Sequence, residues 1–303
     1  MPSQMPPHAS VVKEIRHFFI RGSVLSRLIG INVAIFVLVN LVRVIFFLWN
    51  AEGAAAGMSR WLGVSSNIQL VLHRPWTLIT YMFLHFDFMH ILFNMIVLYV
   101  GGRLFRDFIG ADRLTATYLL GGLSGAVFYI AAFNIFPVFG DVVAFSLAIG
   151  ASASVLAIFI AVAAYMPNYQ LPLLLLGRIR LKYIALFFVV LDIISIDKGN
   201  PGGHLAHLGG ALWGFLYAMM LKSGKDPALV LGFYLGKVGR LFRPKPRMRV
   251  EHTRQWPLTD EEYNAQRAER QKIIDHILDK ISRSGYDSLT SEEKELLFKM
   301  GDK

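Results

Sequence analysis

Apolar residues along the chain fall into six blocks that are separated by shorter polar or basic segments. Most blocks approach the roughly 20 residues that an α-helix needs to cross a hydrocarbon core about 30 Å thick. The predicted helices cover residues 28–48, 85–101, 114–133, 150–166, 181–196 and 206–221. The pattern therefore predicts an all-α polytopic membrane protein, a six-helix transmembrane bundle.

The connections between these helices differ in character. Residues 49–84 are too polar to cross a membrane but are rich in Trp and Leu, so we expect them to lie at the outer interface. Residues 134–149 and 197–203 are predicted as outer loops by counting helices. The leucines of residues 171–176 offer a possible N-terminal extension of the fifth helix.

Charge adds an orientation to this pattern. Basic residues cluster before the first helix and in the second and fourth connections, which places those ends on the inner side. The expected location is a multi-pass protein of the cell (inner) membrane with both termini in the cytoplasm. The net charge is +10, with 14 Lys/Arg against 8 Asp/Glu in residues 1–221 and 17 against 13 in residues 222–303. This spread indicates membrane contact and no nucleic-acid partner.

The chain after the sixth helix divides into two parts. Residues 222–249 carry eight basic residues against one acid, Asp226, and are expected to bind anionic lipid headgroups of the bilayer. Thr259 and Glu262, then Thr290 and Glu293, have the spacing of capping boxes and predict two helices in a small cytoplasmic tail. The predicted division is a cytoplasmic segment 1–26, a transmembrane domain 27–222, a polybasic linker 223–258 and a helical tail 259–303.

Four polar residues fall at related depths in the predicted bundle. The absence of cysteine excludes thiolate catalysis and disulfides, so attention turns to serine and histidine. Counting a helical rise of about 1.5 Å per residue places Ser152, His207 and His90 about 20–24 Å above the inner membrane face. Asn94 lies about 14 Å above it by the same count. Ser152, His207 and His90 therefore lie in the outer half of a core about 30 Å thick, and Asn94 lies close to its middle.

Small residues would let two of these helices approach closely. Stripes at a spacing of four run along the fourth and sixth helices: Ala153, Ala157 and Ala161, and Gly210, Gly214 and Ala218. Such stripes permit close contact between helix backbones in a membrane. This packing would bring the Ser152 hydroxyl towards the His207 imidazole.

These residue types suit acyl transfer. A serine hydroxyl needs an adjacent base, and the imidazole of His207 is mostly neutral near pH 7 and can accept its proton. His90 and Asn94, with the Ser152 backbone N–H, would donate hydrogen bonds to a developing oxyanion. Taken singly, each residue could have a structural role. The serine could pack between helices, the histidine could stabilise the fold, and the asparagine could form hydrogen bonds between helices. Their shared depth favours hydrolysis.

Three stretches carry a family resemblance. HFDFMHILFN at residues 85–94, GASA at 150–153 and AHLGGALWG at 206–214 resemble the motifs of the rhomboid family of intramembrane serine proteases, bacterial type. The resemblance implies a dyad without a carboxylate, with Ser152 as nucleophile and His207 as base, and an oxyanion hole that contains His90 and Asn94. It implies transmembrane protein substrates, cut near the outer membrane face, and no cofactor.

The sequence departs from that family at two positions. Ala153 follows the serine where many members have glycine, and Leu156 stands where some place a tyrosine against the histidine. The resemblance also implies that residues 49–84 lie in the outer leaflet, with Arg74 and Trp76 as a paired feature of that segment.

Two other functions remain open from the residues alone. A non-catalytic scaffold could bind transmembrane helices without cutting them, although such proteins typically lose the serine or the histidine. A metal site is the third interpretation, and the residues considered for it are His85, Asp87, His90, His204 and His207. The chain has no H-E-x-x-H motif, and the spacing of five between His85 and His90 is poor for one helical face, so no metal is predicted.

Three polar residues near the site are given no catalytic role. Asp192 is an acid inside the fifth helix, about one turn from its end, and interfacial solvation is the expected account of it. His204 is expected in a loop, and His85 is expected to hydrogen-bond the outer segment.

Overall fold

The computed structural model describes residues 22–173, 177–241 and 259–301 and divides the chain into two compact units, Met1–Arg243 and Pro244–Lys303. The helices of the first unit are α1 Val24–Leu48, α2 Glu52–Leu62, α3 Ile68–His73, α4 Thr77–Thr80, α5 Phe88–Phe108, α6 Leu114–Ile135, α7 Ser152–Tyr165, α8 Leu181–Ile194, α9 Pro201–Lys222 and α10 Pro227–Leu241. Two short antiparallel pairs join β1 Val64–Ser65 to β2 Leu147–Ala148 and β3 Gln170–Leu173 to β4 Gly177–Arg180. Short 3-10 turns lie at Tyr81–Phe83, Ala111–Arg113 and Pro137–Val142.

Helices are found at all six predicted positions, and the all-α membrane bundle is confirmed. Among the described residues, three helices are long and apolar enough to cross a membrane by length and composition: Val24–Leu48, Phe88–Phe108 and Ala111–Ile135. The shorter helix α7 is almost entirely buried and lies at the centre of the bundle. Its neighbours turn many large apolar side chains outward, which is the expected surface of a protein in a bilayer.

Close packing of α7 against α9 depends on the predicted small residues. A methyl group added at Gly210 would overlap the Ala153 carbonyl, and one added at Gly214 would overlap the Ala157 carbonyl. Gly125 of α6 is equally confined, with the added methyl 2.5 Å from the Ala153 side chain. The two small-residue stripes therefore form the centre of the helix packing, as predicted.

Some helix ends differ from their predicted positions. Helix α9 begins at Pro201, five residues before the predicted start, because Asn200 caps it by accepting a hydrogen bond from Gly203 N–H and Pro201 fits the first turn. Helix α5 continues to Phe108 and includes two basic residues placed in the following turn. Strand β3, Gln170–Leu173, occupies the first part of the possible extension of α8, so that extension is wrong over residues 171–173, and residues 174–176 lie outside the described residues.

The polar segment 49–84 contains three short helices and a strand instead of a plain loop. Trp61 and Trp76 stack with ring centroids 5.6 Å apart, and the Arg74 guanidinium lies 4.7 Å from the Trp61 ring centroid. The Trp76 indole N–H donates to the Trp61 carbonyl at 2.9 Å, and Arg74 donates to the Arg60 carbonyl at 3.0 Å. The predicted association of Arg74 with Trp76 is thus made through a third residue, Trp61.

Helix α8 is mostly half-buried or exposed along its length. Its buried residues are Leu181 at the start and Asp192 near the end. An apolar groove of about 680 Å³ lies between α7, α8 and α9, and its lining includes Ile160, Leu186 and Leu212. The middle of α8 therefore borders this groove and packs on its neighbours through half-buried side chains.

A helix that was not predicted, α10, occupies part of the segment assigned as a linker. Asp226 caps it by accepting from Leu229 N–H at 2.9 Å, accepts from the Tyr217 hydroxyl at 3.1 Å and forms an ion pair with Arg113. Partial burial raises the pKa of the Asp226 carboxyl, but the three hydrogen bonds and the charge of Arg113 together outweigh it, so the pKa is lowered. The remaining basic residues of the linker from residue 243 onward lie outside the described residues, as does the N-terminal segment before residue 22.

The second unit contains the two predicted tail helices, α11 Asp260–Ser284 and α12 Ser291–Gly301. Thr259 and Glu262 form the predicted capping box, and Glu293 and Thr290 exchange the same pair of bonds. Lys280 donates to Glu293 at 2.8 Å and, as the main cause, lowers the pKa of that carboxyl. The capping signals therefore fixed both helix starts correctly.

Substitution of Gly214 by alanine tests the helix contact. The added methyl overlaps the Ala157 backbone, so we expect Gly214→Ala to lower the free energy of unfolding by about 1–3 kcal/mol. Gly30→Ala is the matched control, because nothing lies within 4 Å of its added methyl and alanine is favoured in a helix. Thermal unfolding in detergent compares the two variants, and equal midpoints would contradict this account of the packing.

Candidate active site

Ser152 is the first residue of α7, and the loop before it is held from two sides. Strand β2 of that loop pairs with β1 of the outer segment, and Gly150 N–H donates to the Tyr81 carbonyl at 2.9 Å. The Tyr81 hydroxyl donates in turn to the Gly122 carbonyl of α6. The position of Ser152 is therefore fixed by both the outer segment and the helix bundle.

Gly150 provides the space in which two of the predicted site residues meet. Its φ of +120° is strained for any residue with a side chain. A methyl group there would lie 2.7 and 2.8 Å from His90 Cε1 and Nε2 and 3.7 Å from Ser152 Oγ. The His90 ring and the serine hydroxyl thus face the same small space, and both side chains remain partly accessible.

His207 is brought towards Ser152 by the contact of α7 with α9. Gly210, one turn after His207, packs on the backbone of Ala153, the residue after Ser152. The carbonyl of Ala206, which precedes His207, lies beside Gly125 together with the Ala153 side chain. Among the described residues, no direct hydrogen bond joins Ser152 Oγ to the His207 ring. The packing of the two helices brings the positions of Ser152 and His207 towards each other.

The other ring nitrogen of His207 contacts a carboxylate that sequence reasoning missed. His207 Nδ1 lies 2.8 Å from Asp192 Oδ1, and His204 Nδ1 lies 2.8 Å from the same oxygen. Asp192 is only 6% exposed, so the expectation of interfacial solvation is wrong. His204 belongs to α9 and not to a loop, because the helix starts early at Pro201. Two histidines at a spacing of three, with an acid near the end of the preceding helix, were the available signal.

Asn94 is held in the site by His85. Asn94 Nδ2 donates to His85 Nε2 at 3.0 Å, and the Ala151 N–H donates to the same nitrogen at 3.2 Å. His85 Nδ1 donates to the Phe83 carbonyl at 3.4 Å, which agrees with the expected bond to the outer segment. An amide nitrogen has two donors, so one remains for a ligand. His85 therefore connects Asn94 to the residue immediately before Ser152.

Burial lowers the pKa of His85 to about 4, with a smaller effect from the nearby His90. The cause agrees with the hydrogen bonds, since a protonated Nε2 would face two N–H donors. His85 is fully buried and lies outside the membrane-spanning helix α5. It is the neutral form of this histidine that holds the loop and Asn94 together.

The residues considered for a metal site are not all brought together. Asp87 instead caps α5 by accepting from His90 N–H at 2.8 Å. Within the described ranges, a group with ligand atoms within 4.8 Å of one another consists of Asp192, His204 and His207.

Leu156, the position where some family members have tyrosine, packs with Ile160 and Ala211.

These features define a polytopic membrane protein with a serine and a histidine on two tightly packed helices, below the surface of the bundle. Residues 72–224, half of the chain, match the model of the Rhomboid domain. The chain belongs to the rhomboid family, which supports a function of the intramembrane protease type. Residues 259–300 match a family of unknown function, DUF6576.

Several curated proteins are similar to the chain. It is 30% identical over 164 residues to RHOMBOID-like protein 12, mitochondrial, from Arabidopsis thaliana, covering 49% of the chain and 47% of the relative. It is 30% identical over 142 residues to Presenilin-associated rhomboid-like protein A, mitochondrial, from Danio rerio, covering 45% and 34%. The human Presenilin-associated rhomboid-like protein, mitochondrial, is 27% identical over 187 residues, covering 57% and 44%. The chain spans less than half the length of each of these relatives.

The comparisons correct the expected location. These relatives are all named as mitochondrial proteins, which contradicts the prediction of a cell (inner) membrane protein with cytoplasmic termini. The physical reason is that basic clusters distinguish the two sides of a membrane. They do not distinguish one membrane from another.

The pH dependence of folding tests the role of His85. The unfolded chain binds a proton at His85 below about pH 6.5, whereas the folded chain does so only near its lowered pKa of about 4. The contribution of neutral His85 to stability is therefore complete above pH 6.5 and falls as the pH drops towards 4, by about 3 kcal/mol in total.

We expect His85→Gln to reduce this pH dependence, measured by chemical unfolding in detergent between pH 7 and 4. His73→Gln is the matched control, because His73 is exposed and bonds only the Gln69 carbonyl of its own helix. Identical pH profiles for the wild type and His85→Gln would disprove the assignment.

Proposed function

We propose that the protein is an intramembrane serine endopeptidase that cleaves transmembrane protein substrates within the bilayer. Ser152 is the nucleophile and His207 the general base, with His90 and Asn94 in the oxyanion hole. The single observation that carries the proposal is the backbone contact of Gly210 with Ala153, which brings the two helices together beside both proposed catalytic side chains. Family membership and the partial exposure of both side chains support the same interpretation.

The proposed reaction proceeds in two stages. Ser152 Oγ attacks the peptide carbonyl carbon while His207 Nε2 takes the hydroxyl proton. The resulting oxyanion accepts hydrogen bonds from the Ser152 N–H, which has no helical partner at the start of α7, and from His90 and Asn94. His207 then returns its proton to the leaving amine. Water then enters, gives a proton to His207 and attacks the acyl-serine ester, and His207 passes that proton to Ser152 Oγ as the acid product leaves.

The position of Ser152 in α7 suits a substrate within the membrane. Fourteen residues of helix extend about 21 Å, less than a hydrocarbon core of about 30 Å. With the far end of α7 at one membrane face, the serine at its start would lie below the other face, where the loop of residues 136–151 enters. A transmembrane segment would be cut near that same face.

We also propose the lipid contacts and the domain division that the sequence predicts. The bilayer is the solvent of the bundle, and the basic residues of 222–249 would add contact with anionic lipids. Segments 1–26, 27–222, 223–258 and 259–303 are the proposed divisions. Within 223–258, the structure forms helix α10, attached through Asp226.

Two single substitutions test the catalytic assignment. We expect the purified wild-type protein to react with a fluorophosphonate probe and to cleave a reporter transmembrane substrate in detergent or vesicles. Ser152→Ala should abolish both signals, and His207→Ala should reduce them at least 10³-fold, because loss of a nucleophile or base removes most of the rate enhancement.

Ser154→Ala is the matched control, since Ser154 lies two residues along the same helix and is buried. It should keep wild-type labelling. Equal labelling of Ser152→Ala would exclude the proposed nucleophile. Binding of substrate helices without cleavage or labelling of the wild type would assign the protein to the non-catalytic scaffolds.

A further inference from the structure

The carboxylate of Asp192 lies at the junction of α8 and α9, buried, in contact with two imidazoles. A carboxylate inside a membrane protein is unfavourable unless hydrogen bonds compensate for its lost hydration. Here Oδ1 accepts from His204 Nδ1 and from His207 Nδ1, each at 2.8 Å. An ionised carboxylate is an acceptor only, so both contacts require a proton on the Nδ1 atom of the histidine.

We propose that Asp192 is a positioning residue for His207, so that this chain uses a Ser152–His207–Asp192 triad. The inference rests on the proposed protease function. It adds to that function a residue that holds the base in one tautomer and one orientation. It replaces the expectation of a dyad without a carboxylate.

The tautomer has a direct chemical consequence. With the proton of neutral His207 held at Nδ1, the lone pair is at Nε2, the nitrogen that must take the proton of Ser152. When Nε2 accepts that proton, the imidazolium forms 2.8 Å from a negative carboxylate, which stabilises the charge. The carboxylate itself neither gains nor loses a proton in this cycle.

His204 has a different part in the cluster. It lies one helical turn before His207 and gives the carboxylate its second N–H donor. In this scheme His204 does not touch the serine. A His204 substitution therefore disturbs the same carboxylate while leaving the contact of His207 with Asp192 in place, which makes it the matched control.

The activity test compares Asp192→Asn, Asp192→Ala, Asp192→Glu and His204→Gln with the wild type. We expect both Asp192→Asn and Asp192→Ala to lower kcat at least tenfold with KM changed less than about twofold. The rate of fluorophosphonate labelling should fall in the same proportion. Asp192→Glu, which restores an anionic acceptor, should recover part of the rate, and His204→Gln should stay within about threefold of the wild type.

A tautomer measurement provides a readout that a merely structural role would not move. The ¹⁵N signals of His207, assigned by comparison with His207→Ala, should show a proton on Nδ1 and none on Nε2 in the wild type. They should show a mixture of tautomers in Asp192→Ala. The near-isosteric Asp192→Asn keeps the test valid if the alanine variant is too unstable, and thermal unfolding of every variant is recorded alongside.

Three results would overturn the inference. Wild-type kcat and labelling rate in both Asp192→Asn and Asp192→Ala would remove the positioning role and leave the Ser152/His207 assignment intact. Equal losses in Asp192→Asn and His204→Gln would make the cluster a structural one. Activity abolished by a chelator and restored by Zn²⁺ would assign Asp192, His204 and His207 to a metal. An unreactive wild-type protein would instead reject the protease function itself, and the triad with it.

Discussion

The contact between the backbones of α7 and α9 is the constraint on which the rest of the molecule depends. Gly210 and Gly214 lie against the carbonyls of Ala153 and Ala157, and no larger side chain could occupy either glycine position without separating the helices. The other elements of the site pack around this contact between α7 and α9. Helix α6 closes one side through Gly125, and α8 contributes its carboxylate from another.

A second constraint acts on the loop before the serine. His85 accepts from the Ala151 N–H and the Asn94 amide at once, so one buried imidazole links α5, the outer segment and the start of α7. Gly150 can take its conformation and leave room for His90 only because it has no side chain. The serine is thus positioned by backbone geometry and hydrogen bonds, while the histidine is positioned by helix packing.

The sequence predicted the features that depend on periodicity and on residue size. The six helices, the seam of small residues and the capping boxes of the tail are each local patterns, and all are present in the structure. The candidate residues Ser152, His207, His90 and Asn94 could be selected by depth along separate helices. Helix ends were less accurate where capping decided them, as with Asn200 and the early start of α9.

The roles of Asp192 and His85 could not be predicted in the same way, because they depend on how helices rotate about their axes and on which atoms face each other. Counting residues gives depth, but it does not give the direction of a side chain. In helix α8 the direction of each side chain matters, because the middle of the helix borders an open groove. Asp192 is one of the two buried residues of this helix. Outward displacement of this helix would deprive both imidazoles of their shared acceptor. The position of this helix and the orientation of the proposed catalytic histidine are therefore physically inseparable.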